Sequence, residues 1–81
     1  MADENLYRVV RTDTRGNSRS VRFGTIHMVK GIVRDVNSAN ATRRRIANKM
    51  DSHYPYQPIE LVIERVSVNA YEDVTGEFLD D

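Results

Sequence analysis

Four cations cluster in one short stretch: Arg43, Arg44 and Arg45 in succession, then Lys49 four residues after Arg45. Guanidinium and ammonium groups attract phosphate through Coulomb energy and counterion release, so nucleic-acid binding is one chemistry open to this run. Binding an acidic protein surface is another. On a helix, three successive residues fan over about 200°, so the arginines cannot all meet one phosphate row. Arg45 and Lys49 do share a face. Cations near a helix C-terminus also relieve the negative end of the dipole, which is a purely structural role. Tyr54, Tyr56 and Tyr71 add aromatic surface that suits either a binding surface or packing against the helix end. His27 and His53 have no His or Cys at ligand spacing, so no metal site is expected. The acidic residues at 72, 73, 77, 80 and 81 lack the spacing and glycine placement of a calcium loop. Pro55-Tyr56-Gln57-Pro58 matches PxxP formally, but its prolines have a structural task. No catalytic residue stands out, because the chain has no Gly-x-Ser-x-Gly, no phosphate-cradling glycine loop and no His-Glu-x-x-His. The reading is a non-enzyme with no cofactor.

Positioning these residues falls first to two short strands. Leu6–Thr12 (LYRVVRT) and Ser20–Phe23 (SVRF) are rich in β-branched and aromatic residues. The polar run between them contains Gly16-Asn17, a hairpin turn signal. With the turn centred on that pair, Val10 lies opposite Phe23, Thr12 opposite Val21, and Arg11 opposite Arg22. Val10, Val21 and Phe23 then share one face, and Arg11 and Arg22 the other.

Thr25 can cap a helix through its hydroxyl. Ile26, Val29, Ile32, Val33 and Val36 then recur at spacings of three and four, which is an amphipathic stripe. Gly31 within it would allow close approach to a sheet, at about 1 kcal/mol relative to Ala. Ile46, Ala47 and Met50 continue the phase beyond the weak segment Asn37–Asn40. One helix over residues 26–50 is favoured over two helices meeting near 37–41. At about 37 Å it overhangs a seven-residue strand of about 23 Å, and the overhang carries Arg43–Arg45. Pro55 and Pro58 end the helix in the linker Asp51–Pro58. Ile59–Tyr71 reads as one long strand, with Ile59, Leu61 and Ile63 on one face. The phase slip at Glu64-Arg65 reads as a bulge.

The fold class is therefore α+β with order β-β-α-β: a small antiparallel three-stranded sheet, order 2-1-3, with one long helix on one face. The core is expected from Leu6, Val10, Val21, Phe23, Ile26, Val29, Ile32, Val33, Val36, Ile59, Leu61 and Ile63. The 81 residues make one small domain, with residues 1–5 and 72–81 as flexible tails. The 12 basic and 12 acidic residues cancel, but unevenly. Residues 1–50 hold 11 basic and 4 acidic (+7), and residues 51–81 hold 1 basic and 8 acidic (−7). Adjacent strands from the two halves can neutralise this, with Arg11 and Arg22 facing Glu60 and Glu64 on the open face. There is no Cys, no apolar leader and no membrane-length apolar run, so a cytoplasmic setting and no membrane partner are expected.

The plan YRVVRTDTRG, RSVRF-Gly24-Thr25, VKGIVRD and IELVIERVSVNAYEDV resembles small uncharacterised proteins encoded by bacteriophages of actinobacteria. The similarity spans residues 6–75, with Tyr71 where those proteins carry Trp, and it contains no catalytic or ligand motif. It implies a cytoplasmic accessory product of the infected host and transfers no functional residue. The functional expectation is an interaction protein binding a host protein or a second copy of itself through a sheet edge or the helix surface. The alternative is a nucleic-acid-binding protein using Arg43–Arg45 and Lys49.

Overall fold

Alternating β-branched residues build the centre of the molecule. In a computed structural model, which describes residues 5–13, 19–49 and 56–79, β1 (Leu6–Thr12) lies between β2 (Arg19–Gly24) and β3 (Glu60–Val66). A short β4 (Tyr71–Asp73) extends the sheet beyond β3, giving the order β2-β1-β3-β4 with every pairing antiparallel. β2 and β3 thus run parallel on either side of β1. The long helix α1 (Ile26–Lys49) joins them across one face, and a five-residue helix α2 (Thr75–Leu79) closes the same layer beside β3.

The helix is continuous, as its stripe predicts. Val29, Val33 and Val36 are buried against Tyr7, Val9, Leu61 and Ile63 of the sheet, with Ile59 and Val74 completing the core. Burying one such aliphatic side chain contributes roughly 1.5–3 kcal/mol before entropy is subtracted. The helix starts with the Thr25 carbonyl accepting from the Val29 amide at 3.1 Å, a backbone start in place of the expected hydroxyl cap. Close approach occurs at Gly24, where an added Cβ would fall against the Met28 side chain, and not at Gly31, which has open space around it.

Asn40 takes the next position of the buried stripe, three to four residues on from Val36. Its Oδ1 accepts from the Ile59 amide at 2.8 Å and its Nδ2 donates to the Ile59 carbonyl at 3.0 Å. This pair fastens the helix where the sheet ends. The nine residues after it extend about 13 Å further.

Three expectations need correction. The hairpin register is shifted by two residues, with Val10 opposite Val21, Arg8 opposite Phe23 and Val9 opposite Arg22; the Gly16-Asn17 turn itself lies outside the described residues. More consequentially, the core face is the other one. Tyr7 and Val9 point under the helix, and Leu6, Val10, Val21 and Phe23 point away from it. The physical reason is pairing: Val9 lies opposite Ile63, so the odd-numbered residues of β1 share the face of Leu61 and Ile63. Arg11 and Arg22 therefore sit on the helix side, lining a groove of about 290 Å³ beside Met28, Ile32 and Asp35.

The third correction concerns the C-terminal part. The expected long strand breaks at Ser67–Ala70, where the Ser67 amide donates to the Ala70 carbonyl at 2.9 Å and the chain reverses into β4. No bulge forms at Glu64-Arg65, which pairs regularly on both sides within β3. The expected tail from residue 72 is β4 and α2 as far as Leu79. Phe78 of α2 meets the Tyr7 ring edge-on at 5.6 Å. The Thr75 hydroxyl accepts from the Ile63 amide at 2.9 Å, and the Val74 amide donates to the Ile63 carbonyl at 2.8 Å. They satisfy β3 where β4 no longer pairs with it.

Candidate functional site

Two surfaces remain after the core is accounted for. The first is the projecting end of α1. Arg43 donates to the Gln57 carbonyl at 3.4 Å, and the Arg44 guanidinium stacks over the Tyr56 ring at 4.9 Å. Arg45 and Lys49 are exposed, with no ion pair among the described residues, and Ile46 beside them is half exposed. No acidic residue occurs between Asp35 and Asp51, and none of the four cations has an ion pair among the described residues. The structure thus brings Arg44 and Tyr56 together. Tyr54 lies outside the described residues. Tyr71 belongs elsewhere: it sits on β4, paired with Val66 at the opposite end of the sheet.

The second surface is the sheet face away from α1, to which the sequence pattern assigns charge pairs alone. Strand register divides it into four rows running across the strands. Leu6, Val66 and Tyr71 form the first. Phe23, Arg8, Glu64 and Asp73 form the second. Val21, Val10 and Val62 form the third. Arg19, Thr12 and Glu60 form the fourth. Apolar and charged rows alternate on β1, β3 and β4, where every second residue of this face is apolar, while β2 adds Phe23 to the second row.

Five of its seven apolar members are exposed, while Val10 at the centre is buried (6% exposed) and Val66 is intermediate. Leu6 is 45% exposed, Val21 42%, Phe23 51%, Val62 41% and Tyr71 51%. These are five of the eight large hydrophobics exposed among the described residues. Scattered exposed hydrophobics are ordinary, but clustering on one flat face marks a contact surface. At its centre, Arg8 Nη1 donates to Glu64 Oε1 at 2.8 Å, and the same guanidinium lies 4.7 Å from the Tyr71 ring centre. The cross-strand Arg–Glu pair expected on this face thus exists, with Arg8 in the role assigned to Arg11 and Arg22. The signal that could have found the face was visible in β1, which is apolar in both phases (Leu6 and Val10, Tyr7 and Val9).

Beneath the other face, Arg65 ties the C-terminal elements together. It contacts Glu72 at 2.9 Å and Glu77 at 3.5 Å. The Tyr7 hydroxyl and these carboxylates hold its guanidinium in the charged form, above its ordinary value. Asp73 accepts from the Thr75 hydroxyl at 2.7 Å and from the Thr75 amide at 2.9 Å, which holds its carboxyl below the ordinary aspartate value. Among the described residues, no three His, Asp or Glu gather as metal ligands, and no helix is long and apolar enough to cross a membrane. Comparison with protein-family models, with curated proteins and with solved structures finds no match.

Proposed function

We propose that the chain is a small protein-binding module that works through the open face of its sheet, in keeping with a phage accessory role in a host cytoplasm. The observation that carries this reading is the set of five half-exposed hydrophobics on one face, gathered around the Arg8–Glu64 pair. Apolar anchors supply the driving force of association, and the flanking charges select the partner. A photo-crosslinking residue placed at position 23 tests it. The expected result is a discrete protein adduct from position 23 and none from position 34 on the solvent side of α1. Equal labelling at both positions, or none, refutes the reading.

A second reading has its own observation. The four cations of Arg43–Lys49 project past the sheet with no acidic neighbour in sequence, which suits phosphate contacts. It predicts nucleic-acid affinity that falls with salt and with Arg44→Glu and Arg45→Glu together.

A further inference from the structure

We infer that the occupant of the open sheet face is a second copy of this chain, packed face to face about a two-fold axis that runs parallel to the strands between β1 and β3. The inference rests on the proposed protein-binding role of that face. Such an axis lays each row on itself and exchanges the two sides of the sheet. β1 of one copy falls over β3 of the other, and β2 over β4.

The residues then match. Val62 falls over the other copy's Val10, which is already buried within its own chain (6% exposed), and Leu6, 45% exposed, meets Val66. Arg8 meets Glu64. Because Arg8 and Glu64 already pair within each chain at 2.8 Å, the two copies close a ring of four alternating charges. Phe23 falls over Asp73 of the other copy, whose carboxylate is already taken by Thr75, and lies diagonal to its Tyr71. Basic side chains on this face belong to β1 and β2 (Arg8 and Arg19), and acidic ones to β3 and β4 (Glu60, Glu64 and Asp73). Exchanging the sides therefore sets Arg8 on Glu64 at both ends of the seam, while Thr12 meets Glu60 and Arg19 falls beyond the short β4.

The other two-fold axis in the plane of the interface runs across the strands, and it fails. It lays β1 on β1 and β3 on β3. Centred on the second row, it stacks Arg8 on Arg8 and Glu64 on Glu64. Centred one residue away, it sets charged rows on apolar ones. Like charges opposed across a desolvated seam are strongly disfavoured.

Size agrees with a reversible pair. Strands of seven, six, seven and three residues, at about 3.3 Å per residue and about 4.8 Å per strand, give a face of about 360 Å² in projection. Side-chain relief enlarges it, which places the pair at the small end of specific interfaces. Aligned sheets pack about 10 Å apart with their strands within about 30° of each other, which keeps the rows in register over this short span.

The test is mass in solution, by sedimentation equilibrium from about 5 to about 500 µM, a range that brackets a micromolar dissociation constant. The expected result is a mass that rises from one chain toward two. Arg8→Glu gives an all-acidic centre and Glu64→Arg an all-basic one, so each variant alone dimerises at least about tenfold more weakly. Mixed in equal amounts, the two variants recover the dimer, because the acidic centre of one chain then faces the basic centre of the other at both positions. Edge-to-edge pairing through β2 predicts no such recovery and would overturn the inference. Far-UV circular dichroism checks that both variants fold. Should one not fold, Phe23→Ser and Val62→Thr remove apolar contact at exposed positions and carry the same expected weakening. A wild-type chain that stays monomeric at the top of the range refutes the second copy. In that case a crosslink from position 23 to a different protein leaves the protein-binding role standing, and no crosslink removes both.

Discussion

Removing the Asn40 side chain tests how α1 is fixed to the sheet. In the folded chain, the Asn40 amide makes two hydrogen bonds to the Ile59 backbone, at 2.8 and 3.0 Å, and Ile59 is 5% exposed. Each bond contributes about 0.5–1.5 kcal/mol net, and a backbone group left without a partner in a buried place costs about 1–3 kcal/mol. Asn40→Ala also gains a few tenths of a kcal/mol in helix propensity. The expected loss is about 2.5 kcal/mol, from a total of about 4–12 kcal/mol for a domain of this length. In a thermal melt this is a fall of about 10–20 °C. Asn37→Ala, on the exposed side of the same helix, should leave the midpoint unchanged or slightly raised. Asn40→Asp gives a sharper version. One carboxylate oxygen still accepts from the Ile59 amide, but the other faces the Ile59 carbonyl. That repulsion raises the folded pKa above the unfolded value. The variant is therefore most stable below the unfolded aspartate pKa and weakens as pH rises through the folded one. If Asn40→Ala melts within about 0.5 kcal/mol of the wild type, the size of ordinary surface changes, Asn40 does not hold the helix.

Other perturbations probe the remaining contacts. Ile63→Ala should cost about 2–5 kcal/mol by denaturant titration, since Ile63 is fully buried, whereas Ile46→Ala on the projecting helix should cost little; equal effects would misplace the core. Thr75→Val deletes the acceptor for the Ile63 amide and should cost about 1–3 kcal/mol, with faster hydrogen exchange at that amide; unchanged exchange contradicts it. Asp73 has a depressed pKa, so its contribution is complete above the ordinary aspartate value and is lost as pH falls through the lowered one. Carboxyl titration by NMR checks this, and a midpoint at or above the ordinary value refutes the Thr75 contacts. If the helix end binds nucleic acid, Arg45 and Lys49 on one face give about two phosphate contacts and a slope of log affinity on log salt of about −1.4 to −1.8. Binding unchanged in the Arg44→Glu, Arg45→Glu variant eliminates that use of the surface.

Much of the frame was legible because periodicity reports burial directly. The stripe through Val29, Val33 and Val36 specified one continuous helix despite its β-branched residues, and Leu61 and Ile63 showed the inner face of β3. Two features were not legible. β1 is apolar in both phases, so its own pattern cannot say which side meets the helix. Only the pairing of Val9 with Ile63, across more than fifty residues of chain, decides it. The break after Val66 was equally hidden, because Ser67–Ala70 lacks Gly and Pro and continues the alternation. Nor did the acidic run after Tyr71 look like structure. Its order comes from contacts that no local pattern contains: Phe78 on Tyr7, Thr75 on Ile63, and Arg65 on Glu72 and Glu77. The basic helix end was legible, and its association with Tyr56 partly so. Tyr71 was misplaced with it because the hairpin that carries Tyr71 away leaves no local signal.

The charge split of the chain takes its meaning from strand order. With the order β2-β1-β3-β4, both strands of the basic half lie on one side of the sheet and both strands of the acidic half on the other. On the open face this puts Arg8 and Arg19 on one side and Glu60, Glu64 and Asp73 on the other. On that face the two halves touch at the seam between β1 and β3, and there Arg8 meets Glu64. Arg19 on β2 and Asp73 on β4 lie off that seam and two rows apart, so they take no part in it. At the seam the surface is complementary to itself when turned about the strand direction, because Arg8 then meets Glu64. Interleaved order, with an acidic strand on each flank of a basic one, would have cancelled the charge locally and left no such preference. The hydrophobic rows obey the same operation, since each lies at one height along every strand. Charge and hydrophobicity, set by different residues, therefore select the same axis, and this agreement is what a swapped-charge mixing experiment interrogates.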